Sequence, residues 1–269
     1  MPGAIADAQE ASRELRGDDR QAAFRILAET YHITAKSLTK VSETELAWIA
    51  AERALAAERA DAPLLVGASA YHIGHAFLRA GRNREATALT MDATAALAPS
   101  RDAEPERLAL WGALHLTALF GAARGSDRRA ADQLLNEAER AAERIGDVRN
   151  DFWFAFGPTN VRIHAVALAV EVGDPDETIR LGESLDTSRL PIGVRGRRSA
   201  VLIDLARGYA MRRMDAAAVN TLLDAEQVAP EAVRFNVIVH EQLRELLKRE
   251  HRATTPQLRP LAERAGVLS

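Results

Sequence analysis

The chain has 269 residues, 47% hydrophobic and 27% charged, with a formal net charge of -3, a pI near 6.2 and no cysteine. That length and apolar content suffice for a substantial core, while the lack of cysteine excludes disulfides, thiol catalysis and thiolate zinc sites. A slightly acidic balance offers no surface that neutralises phosphates, so direct nucleic-acid binding by this chain is not expected.

The opening MPGAIADAQE lacks a basic stretch followed by an apolar run and does not read as a signal peptide. Residues 1–17 read as a polar leader without fixed structure, ahead of a single repeat domain over 18–269. Asp18 and Asp19 are placed to cap a helix carrying Phe24, Leu27, Tyr31, Thr34 and Leu38 at three- and four-residue spacing. Ser42 and Glu45 have the spacing of a capping box for the next helix. The longest apolar run, Leu108 to Ala123, lies between Arg107 and Arg124 and falls short of the ~20 residues that a bilayer crossing needs. It reads as a buried helix, and the protein as cytoplasmic with no membrane partner. No stretch combines period-two alternation with β-branched residues, so no strands are expected.

From there a cycle repeats: helix, turn with glycine or polar residues, helix, then a break at Pro or Asp. Small residues recur in the first helix of each pair at Ala35, Gly74, Ala118, Val166 and Ala206, with gaps of 39, 44, 48 and 40. Twelve residues after each stand Ala47, Ala86, Ala130, Thr178 and Ala218, with Gly81, Gly125, Gly173 and Arg213 at the turns. Pro99, Pro191 and Pro230 close units. Small residues let paired helices approach closely, and each pair buries its apolar face against its neighbours. Near the C-terminus, VRFNVIVHEQLRELLKR reads as one amphipathic helix with Val233, Val237, Leu243 and Leu247 inward, followed by a short helix around PQLRPLAERAG.

This small–turn–small–Pro pattern resembles the tetratricopeptide repeat. The expected fold is therefore all-α, a right-handed α-solenoid of about five such helical hairpins with a C-terminal capping helix. The strings ILAETYHITAKSLTKVSETELAWIAAERA, LIDLARGYA, LLDAEQVAPEAVRFN and above all FGPTNV from Phe156 to Val161, with Ile163 and His164 behind it, resemble the C-terminal repeat domain of actinobacterial transcription regulators. Those regulators carry an N-terminal helix-turn-helix of the lambda-repressor-like, xenobiotic-response-element type, which this sequence lacks. The resemblance implies a sensing domain for a ligand or partner, with homodimerisation to match two-fold operators.

In a superhelix of such repeats, the residues three before and one after each small anchor face the groove. This rule selects His32 and Lys36, Tyr71 and His75, His115 and Leu119, Ile163 and Ala167, and Ile203 and Arg207. A groove-facing set of His, Tyr and Lys suits hydrogen bonding to a small molecule or peptide. The candidate ligand-binding residues are His32, Lys36, Tyr71, His75, Trp111, His115, Phe156, Asn160, His164 and Arg207. His72 and His75 are three apart on a helix, and His32 and His115 are candidates to approach them. With no Cys and no HExxH string, satisfied or solvated histidines fit better than metal ligands, and no metal or cofactor is expected.

The aromatic group Phe152, Trp153, Phe154 and Phe156 reads as a packed corner more readily than as a ligand cage. No P-loop, Rossmann glycine string, nucleophile elbow or Cys–His pair points to an enzyme. The leading expectation is a regulatory module that binds a small signal molecule or peptide in its groove and acts on transcription through a DNA-binding domain or partner. The alternatives are a scaffold for a protein partner, and a natural-product enzyme built around His75 and His115.

Overall fold

A computed structural model describes residues 2–41, 43–57, 62–146, 150–190 and 194–268. The fold is all-α, with no strand among the described residues. The chain divides into two compact units, one of Met1–Ile145 with Asn150–Phe156, the other of Gly146–Arg149 with Gly157–Ser269. The first contains α1 (Pro2–Glu14), α2 (Gly17–Lys40), α3 (Thr44–Ala57), α4 (Pro63–Arg79), α5 (Asn83–Ala96), α6 (Pro105–Arg124) and α7 (Arg128–Ile145), then a 3-10 turn at Asp151–Trp153. The second contains α8 (Pro158–Glu171), α9 (Pro175–Glu183), α10 (Arg195–Met211), α11 (Asp215–Val228), α12 (Pro230–Arg234), α13 (Val237–Lys248) and α14 (Leu258–Arg264). Residues 2–14, inside the stretch read as an unstructured leader, form α1, which packs on α2. Ser42 and Pro191 lie outside the described residues.

Six of the described helices begin on proline: α1, α4, α6, α8, α9 and α12. A first-turn position suits a residue with fixed φ and no N–H to satisfy. Asp18 and Asp19 sit in the first turn of α2 and complement its dipole, while Arg16 occupies the cap position without a side-chain bond.

In the first unit each helix from α2 to α7 packs on the next, and α2 and α4 also meet, as do α4 and α6. In the second, α8 meets α9, α9 meets α10, α10 meets α11, and α8 reaches α10. The five small anchors are all buried, Ala118 and Ala206 completely. In the partner helices Ala47, Ala86, Thr178 and Ala218 are buried as expected, but in the third pair the buried residue is Ala131, not Ala130. The turn there shifts in the same sense. Gly81, Gly173 and Arg213 take positive φ, whereas Gly125 does not and Ser126 does, at 63°. The N–H one position later returns to the carbonyl five residues back in all four turns: Arg82 to Phe77, Asp127 to Ala122, Asp174 to Ala169 and Met214 to Tyr209. This is the Schellman arrangement, which satisfies the helix-end carbonyls. One extra residue in the α6–α7 pair accounts for both shifts.

The C-terminal helix expected as one piece is two. Asn236 accepts the Ile238 N–H and starts α13 afresh. Val237 is thereby turned out to 50% exposure, and the inward set is Val239, Leu243 and Leu246. Arg249 then makes a forked ion pair with Asp215 at 2.8–3.1 Å, tying the end of α13 to the start of α11.

In the first unit Phe156 lies against Gly112 so closely that a Cβ there would fall within its ring. Gly112→Ala is expected to cost about 1–3 kcal/mol by forcing the buried ring aside. Gly3→Ala, inside α1 where a Cβ meets nothing within 4 Å, is expected to hold or slightly raise the urea midpoint, by at most about 1 kcal/mol of helix propensity.

Candidate functional site

Three imidazoles gather in the first unit between α2 and α4. His32 sits one turn before Lys36 on α2, and Ser69, His72 and His75 succeed one another at three-residue spacing on α4, so each set shares a helix face. His32 Nε2 and Ser69 Oγ share a hydrogen bond of 2.8 Å. The His32 and His72 rings stack at 5.1 Å between centroids with 27° between planes. Tyr71 lies edge-on to His72 at 5.2 Å and to His75 at 4.5 Å. From α6, Thr117 Oγ1 stands 3.4 Å from His75 Nε2 and 3.1 Å from the Ala113 carbonyl. The threonine gives its proton to the carbonyl, and its contact with His75 Nε2 is the longer of the two.

His32, His72 and Tyr71 are buried, and His75 is half-buried. Burial holds His72 well below the ordinary imidazole value, and the nearby His32, His75 and Lys36 push it the same way. His72 is therefore neutral at physiological pH.

The aromatic segment from Asn150 to Phe156 packs on this cluster. The Phe154 ring lies 4.1 Å from Tyr71, 5.9 Å from His72 and 5.7 Å from Phe152. Phe154 and Phe156 are each 1% exposed, whereas Trp153 is 55% exposed. The corner reading thus describes Phe154 and Phe156, with Phe152 partly buried against the same core, and fails for Trp153. Phe152, Trp153 and Ala155 have φ of 50°, 62° and 49°, a left-handed run that ordinary side chains rarely adopt. Two bonds hold it there: Lys36 Nζ donates to the Trp153 carbonyl, and Asn150 Oδ1 accepts the Ala155 N–H at 2.8 Å.

His115 does not join this group. It lies two residues from Thr117, roughly 200° round the same helix, so the helix turns Thr117 toward His75 and His115 elsewhere. His115 Nδ1–H donates to the Trp111 carbonyl at 2.9 Å, its ring lies 4.0 Å from the Trp111 indole, and Glu137 and Arg140 of α7 are its charged neighbours. Burial lowers its pKa, opposed by the Trp111 carbonyl and Glu137. The pair that an enzyme built on His75 and His115 requires is not brought together.

The remaining candidates occupy the second unit. Asn160 and His164 are buried one turn apart on α8, and His164 Nδ1–H donates to the Asn160 carbonyl at 2.8 Å. Burial first, then Arg197, brings the His164 pKa down to about 3. The Asn160 side-chain oxygen is buried without a hydrogen-bond partner among the described residues. Arg207 pairs with Asp204 at 3.3 Å, and burial raises Asp204 to about 6 against that pull.

His72, Ser69, Thr117 and Phe154 belong to the first-unit cluster, yet the groove rule selects none of them. The three-residue spacing of Ser69, His72 and His75 was the available signal. Among the described residues no group of three or more His, Asp or Glu side chains is placed to hold a metal ion, and no helix is long and apolar enough to cross a membrane.

Among solved structures, the chain is similar to BtubC (BKLC) from P. vanneervenii, with a TM-score of 0.54 and 16% identity over 93% of this chain and 90% of that one. The likeness is one of fold. No family model and no curated protein matches the chain.

The depressed histidines set a pH dependence. Each is unprotonated in the fold but binds a proton in the unfolded chain once pH falls below about 6.5. Their contribution is fully present above that pH and is lost as pH falls toward the folded values. For His164 the window runs from 6.5 to about 3, with a slope of about 1.4 kcal/mol per pH unit. Asp204, raised in the fold from 3.8 to about 6, acts in the opposite sense between those values. His164→Leu is therefore expected to reduce the loss of stability between pH 6.5 and 5 by about 2 kcal/mol, read from urea midpoints at each pH.

Proposed function

We propose that this chain is a regulatory module of tetratricopeptide-like hairpins, about five in a right-handed array with a C-terminal cap, that binds a small signal molecule and passes its occupancy to transcription through a DNA-binding domain or partner. The five buried anchors, the four matching Schellman turns and the resemblance of FGPTNV and its neighbouring strings support the architecture and the regulatory setting. The observation that carries the ligand is the buried group of His32, Ser69, Tyr71 and His72, with the half-buried His75 beside it, packed against a strained aromatic segment. A helix-packing core favours aliphatic residues at such places. Polar groups converging under aromatic walls are what a small-molecule site requires. Strain held beside them gives the protein a second conformation for a ligand to select.

A second reading is favoured by another surface of the first unit. Leu15, Ile26, Leu46 and Ile49 are 41–56% exposed, and a shallow apolar depression lies by Ala8, Leu15, Ala23 and Ile26. Apolar side chains left in solvent suit a protein partner.

Native mass spectrometry of protein purified gently from its source tests the choice. The expected spectrum shows a retained small mass that is lost on His75→Ala and kept on His115→Ala, because the fold separates the two. A spectrum with no small mass, in which the protein gains only a protein partner, moves the function to the scaffold.

A further inference from the structure

Between α1 and α2 the first unit leaves an apolar depression of about 240 Å³ open to solvent. Ala8 and Ala11 from α1 and Ala22 and Ala23 from α2 give it a floor of methyl groups, and Leu15 and Ile26 stand beside them at 41% and 56% exposure. Small residues below and aliphatic walls beside them make a socket rather than a ridge. Its surroundings carry charge of mostly one sign. Asp19 lines the depression, and helical geometry turns Asp7 and Glu14 of α1 and Asp18 and Glu29 of α2 toward the same side, all of them exposed. None of these five carboxylates makes an ion pair or a side-chain hydrogen bond within the described residues. Several exposed acids on other helices are paired within one turn, as Glu85 is with Arg82, Glu177 with Arg180 and Glu245 with Lys248. The neighbouring bases do not offset the rim. Arg13 projects from the opposite side of α1. Arg16 donates to the Arg13 and Leu15 carbonyls, and Arg20 donates to the Ser12 carbonyl and lies over Phe24, which leaves Arg25.

The charge decides among the occupants of such a face. A membrane surface and a nucleic acid are anionic and meet the rim with like charge. A second copy docked by the same face brings its own acids against these, a contact that costs affinity. A cationic amphipathic helix satisfies both features at once, because its apolar stripe covers the socket while its flanking bases find the unpaired acids. Resting on the partner named in the reading above, we propose that the α1–α2 groove docks a basic amphipathic helix of that partner, with aliphatic side chains seated over Ala8, Ala11 and Ala22 and lysines or arginines against Asp19 and the other acids of the rim. This is helix-in-groove recognition, in which apolar anchors one turn apart supply the contact and the flanking charges fix orientation. A partner that itself binds DNA carries surplus Lys and Arg, so the acidic rim suits a route to transcription.

The test uses the full chain and three synthetic peptides of about 18 residues, long enough to hold a helix once bound. One carries leucines at helical spacing flanked by lysines, one the same leucines flanked by glutamates, and one the composition of the lysine peptide in an order that breaks the stripe. Fluorescence anisotropy is expected to show the first binding at least tenfold more tightly than either of the others, and weakening severalfold as salt rises from about 50 to about 300 mM. Ile26→Ser and Leu15→Ser are each expected to weaken it about fivefold while leaving urea midpoints unchanged, since both side chains already stand in solvent. Asp19→Lys combined with Glu29→Lys is expected to reverse the preference between the lysine and glutamate peptides. Equal binding of those two peptides overturns the cationic partner, and an affinity indifferent to both Ile26→Ser and Leu15→Ser overturns the groove. A dimer seen by sedimentation, or retention on phosphatidylserine vesicles, that is lost on Ile26→Ser assigns the face to another occupant and overturns the proposal. A dock that fails these tests leaves the small mass in the native spectrum, and with it the sensing reading, in place. The absence of that mass while the lysine peptide still binds removes the sensing reading and keeps the dock.

Discussion

Everything in the fold depends on how closely paired helices approach at their small residues. Ala35 with Ala47, Gly74 with Ala86, and Ala206 with Ala218 are buried to the last few percent or completely, and at Gly74 a Cβ would stand 2.7 Å from Thr90 Cγ2. Close approach of this kind leaves no room for a longer side chain at the crossing. It also fixes the rotation of each helix about its axis, because only one narrow face carries the small residue. Once rotation is fixed, the residues flanking the anchor have no choice of direction. His32 lies three before Ala35, His72 two before Gly74 and Ser69 five before it, which places all three just N-terminal of their crossings and brings His32 onto Ser69 and His72.

The turns obey the same constraint. Each helix pair ends its first member with one left-handed residue and a bond back over five residues. Gly81 and Gly173 adopt that conformation without Cβ conflict, whereas Ser126 and Arg213 adopt it with one. The register between the two helices outweighs the local preference of these residues. In the third pair an added residue moves the left-handed position off Gly125 and the buried small residue from Ala130 to Ala131. The pairing is preserved by moving the turn rather than by moving the crossing.

This explains what could be read in the sequence. Helices, anchors and three of the four turn positions are local and periodic, so spacing reveals them. The insertion was invisible because Gly125 stood where a turn glycine was expected. Site membership is a matter of angle: His115 and Thr117 look equally eligible along the chain, and only the rotation of α6 decides that Thr117 faces His75. The aromatic cluster from Phe152 to Phe156 was legible as composition. Its left-handed backbone was not, since Phe, Trp and Ala are residues that resist it. The break before α13 had a signal, Asn236, that the apolar spacing of the surrounding residues obscured.

A buried, neutral His72 and a left-handed aromatic run each raise the energy of the folded state, and in this chain they meet at Phe154. Satisfied hydrogen bonds at His32–Ser69 and His75–Thr117 reduce the penalty of burying the imidazoles but do not touch the strain. What holds the segment in place is the bond to Lys36, the Asn150 bond to the Ala155 N–H and the burial of Phe154 and Phe156. Of these, the Phe156 contact with Gly112 ties it to α6, while the Lys36 bond ties its backbone to α2 at Trp153. The left-handed run is thus fixed from two helices at once, and that is how residues which avoid this conformation are kept in it.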